Sequence, residues 1–557
     1  MSAGRNADFP RPTAGATECG PGLALGALAQ ALGGRILGDA DVCVRAVALD
    51  SRRATSDGMF AALAGLRQRG LDHVHGALAR GATSLLVADE RELAEVPLWR
   101  AAGDAPGPRA IWVHPEARWA LGRVAALVHG DPTADMDVVA ITGTNGKTTV
   151  AHLTAQLLER AGPNPRRVGV LGTAGHRLAG PHGPVHVDAS HTTPDAPELQ
   201  RLFARHRAAG GDTLVMEASS HAIVQERLAG TRVAVAAFTN LTREHLDYHG
   251  TLTAYARAKA RLFTALGPGG VAVVNVDDPA WAMMASAATA RGARVVTTSA
   301  RGRADLVAQG VQASPQGARL RLSGLGLAHA VELPLRGGHN VENALTAAAI
   351  ARVLGADPDE VAAALATVTP APGRLEPVGG GTLGFDVLVD YAHSPDALER
   401  VLSTLRADLT AVAARAGRAP ARLIVVFGCG GDRDRGKRPV MGGIAARLAD
   451  IAFVTSDNPR SERPQAIIDD VLEGFQDQGG RRIVEVDRRR AIARALDAAR
   501  AGDIVLIAGK GHENTQTIGK DVLPFDDRVV ALEHLSARAE LPAHTLTPVS
   551  ASEVSRA

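Results

Sequence analysis

Cysteine is scarce in this chain of 557 residues: Cys19, Cys43 and Cys429 are odd in number and scattered, and no C-x-x-C pair occurs. That pattern indicates neither a disulfide framework nor a thiolate zinc site. Long apolar runs are missing too, since no uninterrupted stretch approaches the ~18 residues that a membrane span needs. The opening MSAGRNADFPRPTAGATECG lacks the charged-then-apolar order of a signal peptide. A cytoplasmic location is therefore expected. Charge of one sign is not in excess. A net charge of +2 with 22% charged residues gives no reason to expect a nucleic-acid or membrane-surface partner, and the lack of long apolar runs none to expect membrane insertion. Arginine does cluster locally in DRDRGKR (432–438), which leaves local anion binding open.

With 46% apolar residues and this length, the chain exceeds one core and divides into roughly three or four domains. A flexible tail over 1–20 precedes a first domain, 21–135, that mixes strand-like runs (ATSLLVAD, RAIWVHP) with Ala/Leu-rich helical stretches. A second domain, 136–370, opens on MDVVAITGTNGKTTVAHLTAQLLERAG, which reads as a buried strand, a Gly turn and an amphipathic helix. TLVMEASS, RVAVAAFTNL and GVAVVNVDD continue it. Apolar strands alternating with helices argue for a parallel sheet covered on both faces. After the Pro- and Gly-rich TVTPAPGRLEPVGGGTLG comes a third domain, 371–540, and then a flexible tail, 541–557. In the third domain DVLVDYAHS, ARLIVVFGCGG, DIAFVTSDNPR and GDIVLIAGKGHE each run from an apolar strand into a polar loop. Ligands of open α/β sheets bind at such strand ends.

GTNGKTT (143–149) lies where strand turns into helix. Backbone N–H groups of Gly143, Thr144, Asn145, Gly146 and Thr149 and the helix dipole favour a phosphate there. Lys147 would reach the outer phosphates and Thr148 would ligate Mg²⁺. Ile141 stands where the full phosphate-loop pattern has its first Gly, so a plain helix cap is the alternative. Glu217, at the end of one strand run, and His245, in FTNLTREHLDYHGTLTAYARAKARLF, add a carboxylate and an imidazole that suit a divalent ion in phosphoryl transfer, whereas Lys259 of the same stretch reads by itself as an exposed helix lysine.

These motifs occur in order with HTTPDAPELQ, MEASSHAIVQERL, GHNVENAL, DYAHSPDALE, FGCGGDRDRGKRP, DNPRSE and AGKGHE. Together they resemble the Mur ligase family, the ATP-dependent enzymes that build the peptide stem of peptidoglycan. The resemblance implies an α/β fold of three domains: a uridine-nucleotide-binding domain, a central P-loop parallel-sheet domain for ATP, and a C-terminal Rossmann-like domain for the incoming amino acid. Thr148, Glu217, His245 and a carbamylated Lys259 match metal positions of the family, with Lys147, Lys259 and His245 as catalytic groups. Asn340, Asn343, Arg374 and His393 match positions around the adenine nucleotide. Asp50, Ser51 and Arg52 match the start of the uridine site, and Thr192, Thr193, Ser219, Gln225 and Arg227 match the muramoyl-dipeptide site. Arg433, Asp457, Asn458, Arg460, Gly509 and Glu513 match the amino-acid site. Glu244 replaces the usual Asp, His191 stands where Asn is common, and the loop 65–73 departs from the usual pattern.

The implied reaction joins meso-diaminopimelate to the D-Glu γ-carboxylate of UDP-N-acetylmuramoyl-L-Ala-D-Glu. ATP and Mg²⁺ are the cofactors, the path runs through an acyl phosphate, and a monomer acts on these small-molecule substrates. Closure of the C-terminal domain is the expected device for excluding water. Three rivals stand beside this reading: a folylpolyglutamate synthase-like ligase, a P-loop binding module, and a small-molecule kinase. L-Lysine as the incoming amino acid is a fourth possibility.

Overall fold

The computed structural model describes residues 22–65, 68–95, 107–161, 165–189, 191–314, 316–379, 383–417, 419–475 and 481–539. The expected tails at 1–20 and 541–557, Cys19, and residues 66–67 of the 65–73 loop lie outside them. Two compact units divide the chain: Met1–Gly310 with Leu320–Val331 and Val341–Val368, and Val311–Arg319 with Glu332–Asn340 and Thr369–Ala557.

Among the described residues the first unit holds two main sheets, besides a two-stranded antiparallel pair of Leu23–Ala24 with Cys43–Val44. In the smaller, strands Arg35–Gly38, Ala110–Val113, Ser84–Val87, Gly58–Ala61 and Ala46–Ala48 lie side by side in that order. The first pairs antiparallel and the rest are parallel. In the larger, Val168–Gly172, Thr213–Glu217, Asp137–Thr142, Val233–Phe238, Leu266–Asn275 and Arg294–Ser299 run parallel in that order. The sequence runs of Val, Ala, Ile and Met in these strands are buried on both faces, as a helix-covered parallel sheet requires. Phe203, Phe238 and Phe263 are fully enclosed in its core, each contributing about 1.5–3 kcal/mol by burial.

In the second unit Asp386–Asp390, Ile504–Ala508, Leu423–Phe427, Ile451–Val454 and Arg481–Val484 form a parallel sheet in that order. The short strand Glu376–Pro377 pairs antiparallel at its edge. Helix Pro395–Ala416 starts where Ser394 accepts from Ala397 N and Pro395 fits the first turn. Apolar clusters occupy both faces of the sheet.

Among the described residues no helix is long and apolar enough to cross a membrane. Cys429 is a free, buried thiol whose pKa burial pushes up to about 11.

Candidate active site

Helix Lys147–Arg160 begins just after Gly146, whose φ of 86° lies in the left-handed region. A Cβ there would sit 2.4 Å from Asn343 Oδ1, and one on Gly143 would sit 1.8 Å from Thr239 Oγ1. Both glycines therefore let the loop close against its neighbours. Asn145 N donates to Asn240 Oδ1 at 2.9 Å, and Thr149 is buried in the first helical turn. Lys147 Nζ donates to the carbonyls of Gly143 (2.9 Å) and Thr144 (2.7 Å), so its ammonium is drawn over the loop.

Thr148 Oγ1 donates to Glu217 Oε1 at 2.9 Å. Glu217 closes its strand in register with Ile141 and is buried. It also accepts from Thr173 N (2.8 Å) and Thr173 Oγ1 (3.3 Å). Gly172 makes room, since a Cβ there would lie 2.3 Å from Glu217 Oε1.

Lys259 sits on helix Leu252–Phe263, which starts at a Thr251 cap. Only 1% of it is exposed, and Nζ lies 4.2 Å from the Tyr255 ring centroid. Desolvation, with the neighbouring Lys147 adding and Glu244 opposing, holds its pKa well below the ordinary value. His245 adopts a left-handed backbone (φ 55°) that a non-glycine residue holds at a cost of about 1–3 kcal/mol. Its ring is 4.9 Å from that of His221, and Nε2 is 3.7 Å from Glu244 Oε2. Burial lowers its pKa; Lys147 and Lys259 reinforce this, while Glu244 works against it.

Thr193 Oγ1 donates to the Glu217 carbonyl (2.7 Å) and accepts from Ser219 N (3.2 Å), while Thr192 Oγ1 takes a bond from Thr173 Oγ1 (3.1 Å). Arg227 donates to Gln225 Oε1 from Nη2 (2.9 Å) and Nε (3.2 Å), and to the Thr193 carbonyl from Nη1 (2.7 Å). Between them Glu226 has φ 55° and pairs with Arg261 of the Lys259 helix. Asp50 caps the short turn at Ser51, and the Arg52 guanidinium on it lowers its carboxyl to about 2. A cavity of about 650 Å³ is lined by Leu63, Ala64, Arg118, Trp119, Ile223 and Glu226. A smaller one of about 220 Å³ is lined by Leu49, Arg118, His191, Gln225 and Arg227.

In the second unit Asn340 Nδ2 donates to the Arg336 carbonyl at 2.8 Å. The Arg374 guanidinium lies 4.9 Å over the Tyr391 ring, and Tyr391 stands 4.6 Å from His393 and 5.0 Å from His512. Beyond strand Ile451–Val454, Asn458 Nδ2 donates to Glu513 Oε2 (3.0 Å), and Asn458 Oδ1 accepts from Thr517 N (3.0 Å) and Lys510 Nζ (3.3 Å). Arg460 Nη1 donates to the Gly431 carbonyl at 2.7 Å, and the Arg433 guanidinium lies on the adjoining loop, donating to the Asp432 carbonyl at 3.0 Å. Gly509, with φ 117°, approaches so closely that a Cβ would meet Asp457 Oδ2 at 3.2 Å.

Glu462 anchors this loop pair. It accepts from Asp432 N (2.6 Å) and from the fully buried Arg438 through Nη2 (2.7 Å) and Nη1 (2.9 Å). Those guanidinium bonds lower its carboxyl to about 2. A folded-state pKa below the ordinary 4.5 gives stability that is complete above 4.5 and lost as pH falls through about 2. Glu462→Gln should therefore reduce unfolding free energy at neutral pH by about 2 kcal/mol. It should also flatten the loss of stability below about pH 4.5, as read by circular-dichroism melts.

The family model described as Mur ligase middle domain matches residues 141–351, and that described as Mur ligase, glutamate ligase domain matches 373–511. A UDP-N-acetylmuramoyl-L-alanyl-D-glutamate–2,6-diaminopimelate ligase of Alkalilimnicola ehrlichii is 42% identical over 496 residues, 88% of this chain and 95% of the relative. The chain belongs to the Mur ligase family. A ligase of the same description from Gloeobacter violaceus is 41% identical over 89% of this chain and 95% of its own. A solved structure of a UDP-N-acetylmuramoyl-L-alanyl-D-glutamate–2,6-diaminopimelate ligase superposes with a TM-score of 0.64 at 34% identity, covering 93% of this chain and 99% of the other. The α/β Mur ligase architecture expected from sequence, with a central P-loop parallel sheet and a C-terminal Rossmann-like domain, is the one observed. A folylpolyglutamate synthase of Mycobacterium tuberculosis shares the fold at 21% identity over 71% of this chain, with a TM-score of 0.54.

Within this Mur ligase the expected residues fall into two groups. Thr148, Glu217, Thr192, Thr193, Ser219, Gln225, Arg227 and Asn343 gather with the phosphate loop in the first unit, and Asp457, Asn458, Arg460, Gly509 and Glu513 in the second. Asn340, Arg374 and His393 also fall in the second, although Asn340 is three residues from Asn343. Sequence reasoning passed over Thr173, Tyr255 and Lys510. Tyr255 carried a signal, lying four residues before Lys259 and thus on the same helical face. Thr173 carried none, because only the sheet order brings it to Glu217.

Proposed function

We propose that the protein transfers the γ-phosphoryl group of ATP to the γ-carboxylate of UDP-N-acetylmuramoyl-L-Ala-D-Glu and joins the resulting acyl phosphate to meso-diaminopimelate. The observation that carries the reading is Lys259, an almost fully buried lysine whose pKa both desolvation and the phosphate-loop Lys147 depress. A P-loop binding module or a simple kinase has no use for such a group.

A carboxylate is a poor acyl donor because oxide would have to leave. Phosphorylation creates a phosphate leaving group; the amine then adds, the amide C–N bond forms, phosphate departs, and the nitrogen sheds its proton. Lys147 meets the charge gathered on the transferring phosphoryl oxygens, and the loop N–H groups orient them. Arg227, fixed by Gln225 and Thr193, is placed for a substrate carboxylate or phosphate. The cavity bounded by Arg118, His191 and Arg227 suits the diphosphate, and the larger one beside Trp119 suits the uridine.

Among the described residues no three His, Cys, Asp or Glu side chains cluster as a metal site. The set that fits Mg²⁺ is instead mixed: Thr148, Glu217, His245 and Lys259 as its carbamate. The donor chemistry agrees, since Glu217 is a buried carboxylate bonded only by neutral N–H and O–H donors among the described residues. A Lys259 amine depleted of its proton can add to carbon dioxide, losing a proton and leaving an anion. Mg²⁺ held there supplies neutralising charge to the phosphates. We further propose that the protein acts as a monomer.

Incubation with ATP, Mg²⁺ and UDP-N-acetylmuramoyl-L-Ala-D-Glu tests the reading. Phosphate release should require added meso-diaminopimelate and remain near background with L-lysine. Release independent of any amino acid would overturn the ligase assignment, and equal rates with lysine would overturn the amino-acid assignment alone.

A further inference from the structure

Lys510 has no exposed side-chain surface. Its ammonium faces three acceptors at the amino-acid loop: Asn458 Oδ1 and Glu513 Oε2, each at 3.3 Å, and Asp457 Oδ1 at 3.8 Å. Burying an ammonium is expensive unless its surroundings compensate it, so what compensates it indicates what it holds. Here the partners are three of the side chains expected to meet the far end of the incoming amino acid.

The bonding pattern fixes orientation. Thr517 N and Lys510 Nζ both donate to Asn458 Oδ1, so the amide cannot flip without losing both bonds, and its Nδ2 must face Glu513 Oε2. Glu513 is thereby held from two sides while a third of its side chain stays exposed. Among the described residues Asp457 Oδ1 has no hydrogen-bond partner and is buried, with Lys510 as a cation within ion-pair reach. The other nearby buried cation, Arg488, is occupied by both oxygens of Asp527 at 2.7 Å. Among the described ion pairs Asp457 and Glu513 share the Lys510 ammonium, while Arg488, already paired with Asp527, acts on both from farther off.

We propose that Lys510 is a positioning residue that sets amino-acid selectivity by holding Asn458 and Glu513 in register and offsetting one of the two carboxylates beneath them. The inference rests on the ligase reading above and deepens it. Two carboxylates against one ammonium leave this pair net negative, which suits the distal ammonium of the incoming amino acid, while the guanidiniums expected at the site suit its carboxylates. Without Lys510 the pocket becomes more negative by one unit, which disfavours the distal carboxylate of meso-diaminopimelate and favours the lone ammonium of L-lysine.

The test compares Lys510→Met and Lys510→Gln with the native protein, measuring kcat and KM for both amino acids. Lys510→Met should reduce the ratio of kcat/KM for diaminopimelate over lysine about 10- to 100-fold, the range for one hydrogen-bonded charge. KM for diaminopimelate should rise while KM for ATP stays within about twofold. Lys510→Gln keeps a donor without the charge; it should recover part of the KM but not the selectivity. Should the single variants fail to fold, Glu513→Gln is compared with the double variant Lys510→Met/Glu513→Gln, which removes both charges together. Adding Lys510→Met to Glu513→Gln should then change KM for diaminopimelate less than about threefold, because interacting sites are non-additive. An unaltered selectivity ratio in Lys510→Met, or fully additive effects in the double variant, would overturn the role of Lys510 and leave the ligase reading intact. A native protein that fails to discriminate the two amino acids would overturn the diaminopimelate assignment and the Lys510 role together, leaving ligation itself standing.

Discussion

Lys259→Ala should lose about 10²–10³-fold in kcat, the scale of removing one charge-stabilising group from a water-excluded site. It should regain part of that activity when acetate or propionate is added. The enclosure of this lysine determines both halves of the expectation. Its amine is almost entirely out of water, beside Tyr255 and near a second lysine, and both burial and charge disfavour the ammonium form. Truncation to alanine opens a space next to Lys147 that a small carboxylate can fill with the missing negative charge. Formamide of similar size should give no recovery, because it brings no charge. Rates measured against acid concentration decide the matter: saturable recovery by carboxylates supports the carbamate, whereas no recovery at any concentration removes Lys259 from the chemistry.

Arg460→Ala should be the largest change in specificity. The native preference for meso-diaminopimelate over L-lysine should be of order 10⁴-fold, as when a substrate lacks the partner of a built polar group. The variant should lose at least about 100-fold of it. Arg460 stands at φ 51°, a conformation bulky residues avoid, and the surrounding backbone enforces it: its N–H donates to the Thr517 carbonyl and its carbonyl accepts from Gly519 N. The bond from Nη1 to the Gly431 carbonyl then sets the plane of the guanidinium. Arg460→Lys should behave nearly as badly as Arg460→Ala, since a lysine cannot offer two parallel N–H donors to one carboxylate. Competition between the two amino acids in one reaction, with products separated by mass, reads the ratio directly. A lysine variant that retained the native preference would show that charge alone suffices.

Features carried by contiguous residues were legible in the sequence. The GTNGKTT turn announces its strand, loop and helix within a dozen positions, and the structure places Asp137–Thr142 and Lys147–Arg160 accordingly. The strand-then-loop runs of the C-terminal half gave the parallel strands, and DNPR stands directly beyond Ile451–Val454. Lys259 was legible as a site residue only through the family. Its own helix nevertheless carried a physical sign, for Tyr255, Leu262 and Phe263 share its face at spacings of three and four. What stayed hidden depends on which strands become neighbours. Thr173 reaches Glu217 because Val168–Gly172 pairs with Thr213–Glu217. Lys510 reaches Asn458 because the loops after Ile504–Ala508 and Ile451–Val454 open on the same side of one sheet. The pairing of Arg438 with Glu462 joins residues 24 apart for the same reason.

Helix Leu252–Phe263 carries Lys259 toward the phosphate loop and, two residues later, Arg261 toward Glu226 in the Gln225–Arg227 turn. Two residues of α-helix are about 3 Å of axial rise and a fixed 200° of rotation. The helix therefore acts as a ruler whose graduation is the residue: both ends of the first reaction step are registered to one rigid rod rather than to separate loops. Lengthening that rod by a single residue between 259 and 261 would swing Arg261 by about 100° and uncouple the turn from the lysine, although no residue of either site had been altered.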